Sequence, residues 1–200
     1  MNLHTVPAES VAPQAWRNAG GQTRELLTWP TASNWALRIS RADIAADGPF
    51  SEFSGVQRWF AVLVGAGVRL RFAHTTTMLR EGDPPLQFDG ASAPVCELVN
   101  GPTQDLNLMA RGGRGVMQAA HSGCAWTTEH AVRGLYAVVP GTWSCGEHTQ
   151  ALAAHTLLWC DTPTDQPWTF SPSAAQRTVT ASDAAPAIAF WLGFTPETPP

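Results

Sequence analysis

All 12 basic residues of this chain are arginine. An arginine stays charged and offers a planar fork of N–H donors, which suits a carboxylate or phosphate two bonds at a time. Three of them stand where such chemistry could be organised. Arg24 follows the Gly-rich turn Asn18-Ala19-Gly20-Gly21 and is flanked by Thr23 and Glu25. The amides of that turn could face an anion, or the glycines could serve only positive φ values with Arg24 solvated. Arg38 and Ser40 share one strand face, opposite Leu37 and Ile39, and line an interior if the apolar pair packs inward. Arg58 heads an apolar strand that runs to Val64. Trp16 and Trp35 could supply an apolar wall beside these cations.

Other reactive residue types are present without the spacing that chemistry needs. His121, His130, His148 and His155 form neither HxH nor HExxH. Glu129 and His130 are adjacent, so a strand would point them to opposite faces. No G-x-S-x-G elbow occurs, and the segment Ser122-Gly123-Cys124-Ala125-Trp126 lacks the context of a thiol protease. Cys96, Cys124, Cys145 and Cys160 make no CxxC pair, which predicts buried free thiols rather than disulfides or a zinc knot. No basic run marks a nucleic-acid surface. No apolar stretch approaches the roughly 20 residues of a membrane span. Met1–Ala12 has neither the basic nor the apolar region of a secretory signal, so the expected location is cytoplasmic.

The elements that must position the arginines are strands. Only 14% of the 200 residues are charged, while Gly (17) and Pro (16) recur throughout, a balance that favours short strands over exposed helices. Strands are predicted at Gln22–Trp29, Trp35–Ala42, Arg58–Val64, Val68–Phe72, Val95–Asn100, Asp105–Arg111, Gly115–Ala119, Ala125–His130, Leu135–Val139, Thr156–Cys160 and Ala187–Gly193. Gly146–Ala154 alone tolerates a helix. Arg58–Phe72 reads as a hairpin closed by Gly65-Ala66-Gly67, apolar on both faces of its first strand. The run Gly134–Gly141 echoes it, which suggests two unequal repeats sharing one core, divided near Gly112-Gly113 into 1–112 and 113–200.

Several blocks occur in order: Trp16-Arg17-Asn18-Ala19-Gly20-Gly21-Gln22-Thr23-Arg24-Glu25, Trp35–Ala42, Phe50-Ser51-Glu52-Phe53-Ser54-Gly55 with Arg58, Phe88-Asp89-Gly90, and Gly101-Pro102 with Asp105–Met109. The series resembles the HutD/Ves family of bacterial proteins, closely over about the first 110 residues and loosely beyond. Ala19 stands for a glycine of the family pattern and Ser54 for a proline. The resemblance implies an all-β bicupin, two antiparallel jelly-roll barrels, with a small-metabolite-binding, regulatory role linked to histidine utilisation.

Many cupins hold a metal through H-x-H-x(3,4)-E-x6-G and a later histidine. Anchored at Gly65, that spacing places Ser51 and Phe53 at the two histidines and Arg58 at the glutamate. Ala93 falls at the fourth ligand. None is a ligand of the expected kind, and Arg58 would repel a metal ion, so no metal and no cofactor are expected. A buried Arg58 requires an anionic partner, either internal (Glu25, Glu52 or Asp43) or a ligand. The expected partner is therefore a small anionic metabolite, such as formylglutamate, formiminoglutamate or urocanate. Arg24, Arg38 and Arg58 would anchor it, with Asn18, Thr23, Ser40 and Ser51 as neutral donors and acceptors, Glu25 alongside, and Trp16 and Phe53 as walls. The alternatives are a cofactor-free isomerase or hydrolase with Glu25 as base, and a non-catalytic interaction scaffold. The low-charge surface leaves room for a homodimer.

Overall fold

The computed structural model describes residues 1–173 and 187–197. Their strands are, first, β1 (His4–Pro7), β2 (Gln14–Ala15), β3 (Gly21–Pro30), β4 (Trp35–Ile44), β5 (Gly48–Pro49) and β6 (Gln57–Val64). There follow β7 (Val68–Arg71), β8 (Thr76–Leu79), β9 (Leu86–Asp89), β10 (Val95–Leu98) and β11 (Thr103–Ala110). The second half contributes β12 (Gly113–Ala120), β13 (Val132–Ala137), β14 (Gly141–Cys145), β15 (His148–Leu152), β16 (Thr156–Cys160), β17 (Trp168–Pro172) and β18 (Ala189–Pro196). A single 3-10 turn at Ala8–Ser10 is the only helical element among the described residues.

Four antiparallel sheets result, in the orders β2-β3-β4-β11-β6-β9, β5-β10-β7-β8, β1-β16-β13-β18-β12 and β15-β14-β17. The first two enclose one barrel and the last two another, the bicupin expected. The run β4-β11-β6-β9 corresponds in chain order to β12-β18-β13-β16, and β10-β7-β8 to β17-β14-β15. β1 adds to the edge of the sheet formed by later strands, pairing with β16.

Strand alternation explains how two barrels share one core. On β6, Trp59, Ala61 and Leu63 face the seam between barrels, while Phe60 and Val62 fill the first barrel. On β4, Leu37 and Ile39 join the seam, and Ala42 and Ile44 turn inward. Tyr136, Leu157, Phe190 and Phe194 meet them from the second half. A strand with two buried faces must be apolar on both, which is why Arg58–Val64 carries no conventional polar side.

Four expectations fail. Arg58–Phe72 is not a hairpin: β6 pairs with β11 and β9, whereas β7 pairs with β8 and β10 in the opposite sheet. Gly65 and Gly67 lie at φ +113° and +111°, and a Cβ there would meet the Pro102 and Leu79 carbonyl oxygens at 2.7 and 2.3 Å. The glycines thus carry the chain from one sheet to the other. The echoing run Gly134–Gly141 likewise steps from β13 to β14 in the facing sheet. Gly146–Ala154 contains a strand, β15, paired to β14, and Ala125–His130 contributes only an isolated bridge from Trp126 to Trp168. Cys96, Cys145 and Cys160 are buried free thiols as expected, but Cys124 is exposed. Among the described residues no helix is long and apolar enough to cross a membrane.

Candidate functional site

The pleat of β4, β6 and β11 aims Arg38, Ser40, Arg58, Asn107 and Met109 into the mouth of the first barrel. They line a cavity of about 570 Å3, closed at the rim by Gln14–Asn18 and by Pro49–Ser51. Trp16, Asn18, Thr23, Ser51 and Phe53 complete its wall. The Trp16 indole donates to Thr23 Oγ1 at 2.7 Å, which fixes the ring across the opening.

Arg58 is the centre of the site. It is 5% exposed. Its Nη1 donates to the Ser51 carbonyl at 3.3 Å and its Nη2 to Asn107 Oδ1 at 3.1 Å. The guanidinium carbon lies 5.1 Å from the ring centres of Phe50 and Phe88 and 5.8 Å from that of Phe53. No carboxylate among the described residues pairs with it, and Nε has no partner. Glu25 and Asp43 pair with Arg38 and Arg41 instead, and Glu52 accepts from Ser54, so none of the three internal partners expected for Arg58 meets it. Burial, with the nearby charge of Arg38, pushes its pKa down to about 10. Three aromatic faces soften that penalty without supplying a counter-charge.

The other arginines are placed differently. Arg38 reaches the cavity, but its Nε sits 2.8 Å from Glu25 Oε2. Glu25 is thereby held by Arg38 at the edge, outside the residues that line the cavity. Arg24 points to the opposite face of β3. It donates to the Val11 carbonyl at 2.7 Å and lies 3.3 Å from Glu9. Glu9 also meets Arg41 at 2.7 Å in the seam between barrels. The turn before Arg24 is used internally: Ala19 N–H donates to the Trp16 carbonyl and Gly20 N–H to Asn18 Oδ1. Those two amides are therefore not available to an anion. Trp35 stands outside the cavity, stacked 4.9 Å under Arg111.

Sequence reasoning missed Phe50, Asn107 and Met109. The alternation within Asp105–Met109 puts Asn107 and Met109 on one face, but only the pairing of β11 with both β4 and β6 shows that this face is the cavity. The cupin metal positions carry other chemistry. Ser51, Phe53 and Arg58 do converge on the cavity, whereas Ala93 lines a separate groove. A carbonyl, a phenyl ring and a guanidinium offer no ligand set for a metal ion. Among the described residues no three His, Cys, Asp or Glu side chains come together elsewhere.

The family model described as HutD matches residues 8–179. The chain belongs to the HutD family. Protein Ves of Citrobacter koseri is 34% identical over 134 residues, covering 66% of this chain and 70% of that protein. A conserved protein of unknown function from Pseudomonas aeruginosa PAO1 superposes with a TM-score of 0.82 at 26% identity, over 98% of this chain and 99% of that one. HutD from Pseudomonas fluorescens SBW25 gives 0.80 at 22% identity, over 97% and 98%. The HutD fold thus extends across both barrels.

Proposed function

We propose that this HutD-family chain binds a small carboxylated metabolite in its N-terminal barrel, without a metal, in a regulatory role linked to histidine utilisation. One observation carries the reading: Arg58 is buried, with no carboxylate partner among the described residues, at the base of a ligand-sized cavity. An unpaired buried guanidinium is costly, and a ligand carboxylate removes that cost while forming charge-assisted bonds. Arg38, half-neutralised by Glu25, stands ready for a second acidic group at the rim. Trp16 and the phenylalanines favour a planar or short apolar body between the two ends. Urocanate, formylglutamate and formiminoglutamate have such shapes. Residues 1–112 would hold the binding barrel and 113–200 its partner barrel, in a cytoplasmic protein whose weakly charged surface suits a homodimer.

Calorimetric titration with these three acids tests the reading. Binding of at least one, lost in Arg58→Ala, is the expected result. No heat and no shift in melting temperature with any of them would sink it. Following a bound acid by NMR during long incubation distinguishes binding from turnover: an unchanged spectrum is expected, and a new product would favour the isomerase or hydrolase reading.

A further inference from the structure

The arginines on β4 and β6 differ in what holds them. Arg38 has the Glu25 carboxylate at 2.8 Å, and Arg41 has that of Glu9 at 2.7 Å. Arg58 has instead the side-chain amide of Asn107, whose Oδ1 accepts from Nη2 at 3.1 Å. Asparagine and aspartate share one shape, so a carboxylate at this position could make the same contact and cancel the charge. The amide holds the guanidinium and leaves its charge in place. Asp105, two positions back on β11, is turned to Thr103 at 2.7 Å and makes no ion pair with Arg58. Arg133 on β13, 2% exposed, also lacks a carboxylate among the described residues. It donates to the Thr164 carbonyl and packs against Trp168 in a filled core, whereas Arg58 and Asn107 both line a cavity.

The contact also fixes what Asn107 shows to a ligand. A guanidinium donates and cannot accept, so it dictates that Oδ1 rather than Nδ2 faces Arg58. Nδ2 is the end left for the cavity that Asn107 lines. On Arg58 itself, Nε is sealed off without a partner. Nη1 spends one hydrogen on the Ser51 carbonyl, and Nη2 one on Asn107. One hydrogen on each Nη remains, an end-on pair in direct contact with the Asn107 amide. Such a set suits a group that only accepts. A ligand amide would bring N–H groups of its own against these donors and no counter-charge.

We infer that Asn107 determines the specificity of this site, selecting an ionised carboxylate over the corresponding amide by orienting Arg58 without neutralising it. The inference rests on Arg58 as a carboxylate anchor and goes further, because it assigns the discrimination to the neutral residue beside the cation. In the ligand-free protein Arg58 lacks a counter-charge, and only an anionic end supplies one. Asn107→Asp supplies it permanently and sets a second negative charge against that of the ligand.

Asn107→Asp and Asn107→Leu in the full chain test this beside the wild type. Each protein is titrated calorimetrically with urocanate, formylglutamate and formiminoglutamate, and with the primary amides of these acids. Without ligand, Asn107→Asp should melt above the wild type, because Arg58 gains a partner. Its affinity for the acid should fall at least about 30-fold, the scale of a like-charge clash. The amide should bind no worse than before, so the preference for the acid collapses. Asn107→Leu removes the contact but not the charge of Arg58. It should weaken acid and amide alike and keep the preference, which a merely structural role for Asn107 would not separate from the first variant. Unchanged acid affinity in Asn107→Asp, or an equal collapse of preference in Asn107→Leu, overturns the inference and leaves Arg58 as the anchor. A melting temperature of Asn107→Asp at or below that of the wild type overturns it as well. If no acid binds the wild type, the reading of Arg58 fails and this inference with it. Should Asn107→Leu not fold, the acid and amide titrations of Asn107→Asp decide.

Discussion

The two barrels follow matching strand orders, yet their interiors are filled in opposite ways. In the first, small and polar side chains on β4 and β11 leave a cavity of about 570 Å3 around Arg58. In the second, Trp143, Trp168 and Phe170 are fully buried, and Trp126 stacks on Trp191 with ring centres 5.2 Å apart. Topology is therefore not what makes a binding site. Side-chain volume at inward positions decides whether a barrel becomes a packed core or a pocket. Each interior nonetheless keeps one buried arginine without a carboxylate among the described residues.

The largest expected effect comes from opening the packed side. Trp168→Ala should cost about 3–5 kcal/mol of stability, as expected for removing a buried aromatic, read from chemical denaturation. Because Trp168 belongs to the core between the second barrel's sheets and not to the seam, affinity for the N-terminal ligand should hold under conditions where the variant is folded. A fall in affinity in the still-folded variant would show that the barrels are coupled, and the contrast between core and pocket would fail.

Next comes Arg58→Met, for which two readouts should move in opposite directions. Carboxylate affinity should fall by about 2–5 kcal/mol, the usual consequence of truncating one partner of a buried charge pair. Stability of the ligand-free protein should hold or rise, because a cation displaced from water is removed. If stability drops sharply instead, Arg58 has a structural partner and is no ligand anchor.

These contrasts were only partly legible in the sequence. Alternation along Trp35–Ile44 and Arg58–Val64 marks strands with two buried faces, and the block resemblance carried the two-barrel fold. What joins the strands was hidden: Gly65 and Gly67 look like a hairpin turn, and only closure of distant strands makes them a crossing between sheets. The cavity was half legible. Arg38, Ser40, Ser51, Phe53 and Arg58 follow from pleat and spacing, whereas Asn107 enters through the neighbours of β11. Arg24 stands opposite Arg41 on β4, so alternation gives it the seam face while Thr23, opposite Ala42, takes the cavity face; only the pairing of β3 with β4 shows which face is which. Arg133 gave no sequence signal at all, since a lone arginine in an apolar strand has no motif.

A smaller effect concerns Asp105, the one buried carboxylate among the described residues. It lies on the inward face of β11, fully buried, with Oδ2 accepting from Thr103 Oγ1 at 2.7 Å and Oδ1 unpartnered. Burial pushes its carboxyl up to about 8 from an ordinary 3.8, with Asp43 adding to the shift and Thr103 opposing it. The folded state therefore binds this proton more tightly than the unfolded chain does. Its stabilisation is complete below about pH 4 and is lost as pH rises through about 8. Asp105→Asn should remove a decline on the order of a few kcal/mol across that window, so that the variant exceeds the wild type at pH 9. Parallel denaturation curves of the two proteins from pH 5 to 9 would show instead that Asp105 does not take up this proton.

The smallest effect sharpens the contrast between a satisfied and an unsatisfied arginine. Arg41 is as buried as Arg58, at 2% exposure, but it lies in the seam and has Glu9 at 2.7 Å and Asp43 at 3.8 Å. The hydrogen bond and charge of Arg41 hold the Glu9 carboxyl below its usual value. Glu9 therefore contributes stability above its unfolded value near 4.5, and the contribution fades as pH falls below it. Its side chain is 68% exposed, so water screens the pair and Glu9→Gln should cost below about 1 kcal/mol at pH 7. Asp43 remains as a partner for Arg41 in that variant. A loss well above 2 kcal/mol would mean that Arg41 depends on Glu9 as a desolvated pair. The seam would then join the pocket as a place where one carboxylate decides whether a buried guanidinium is tolerated.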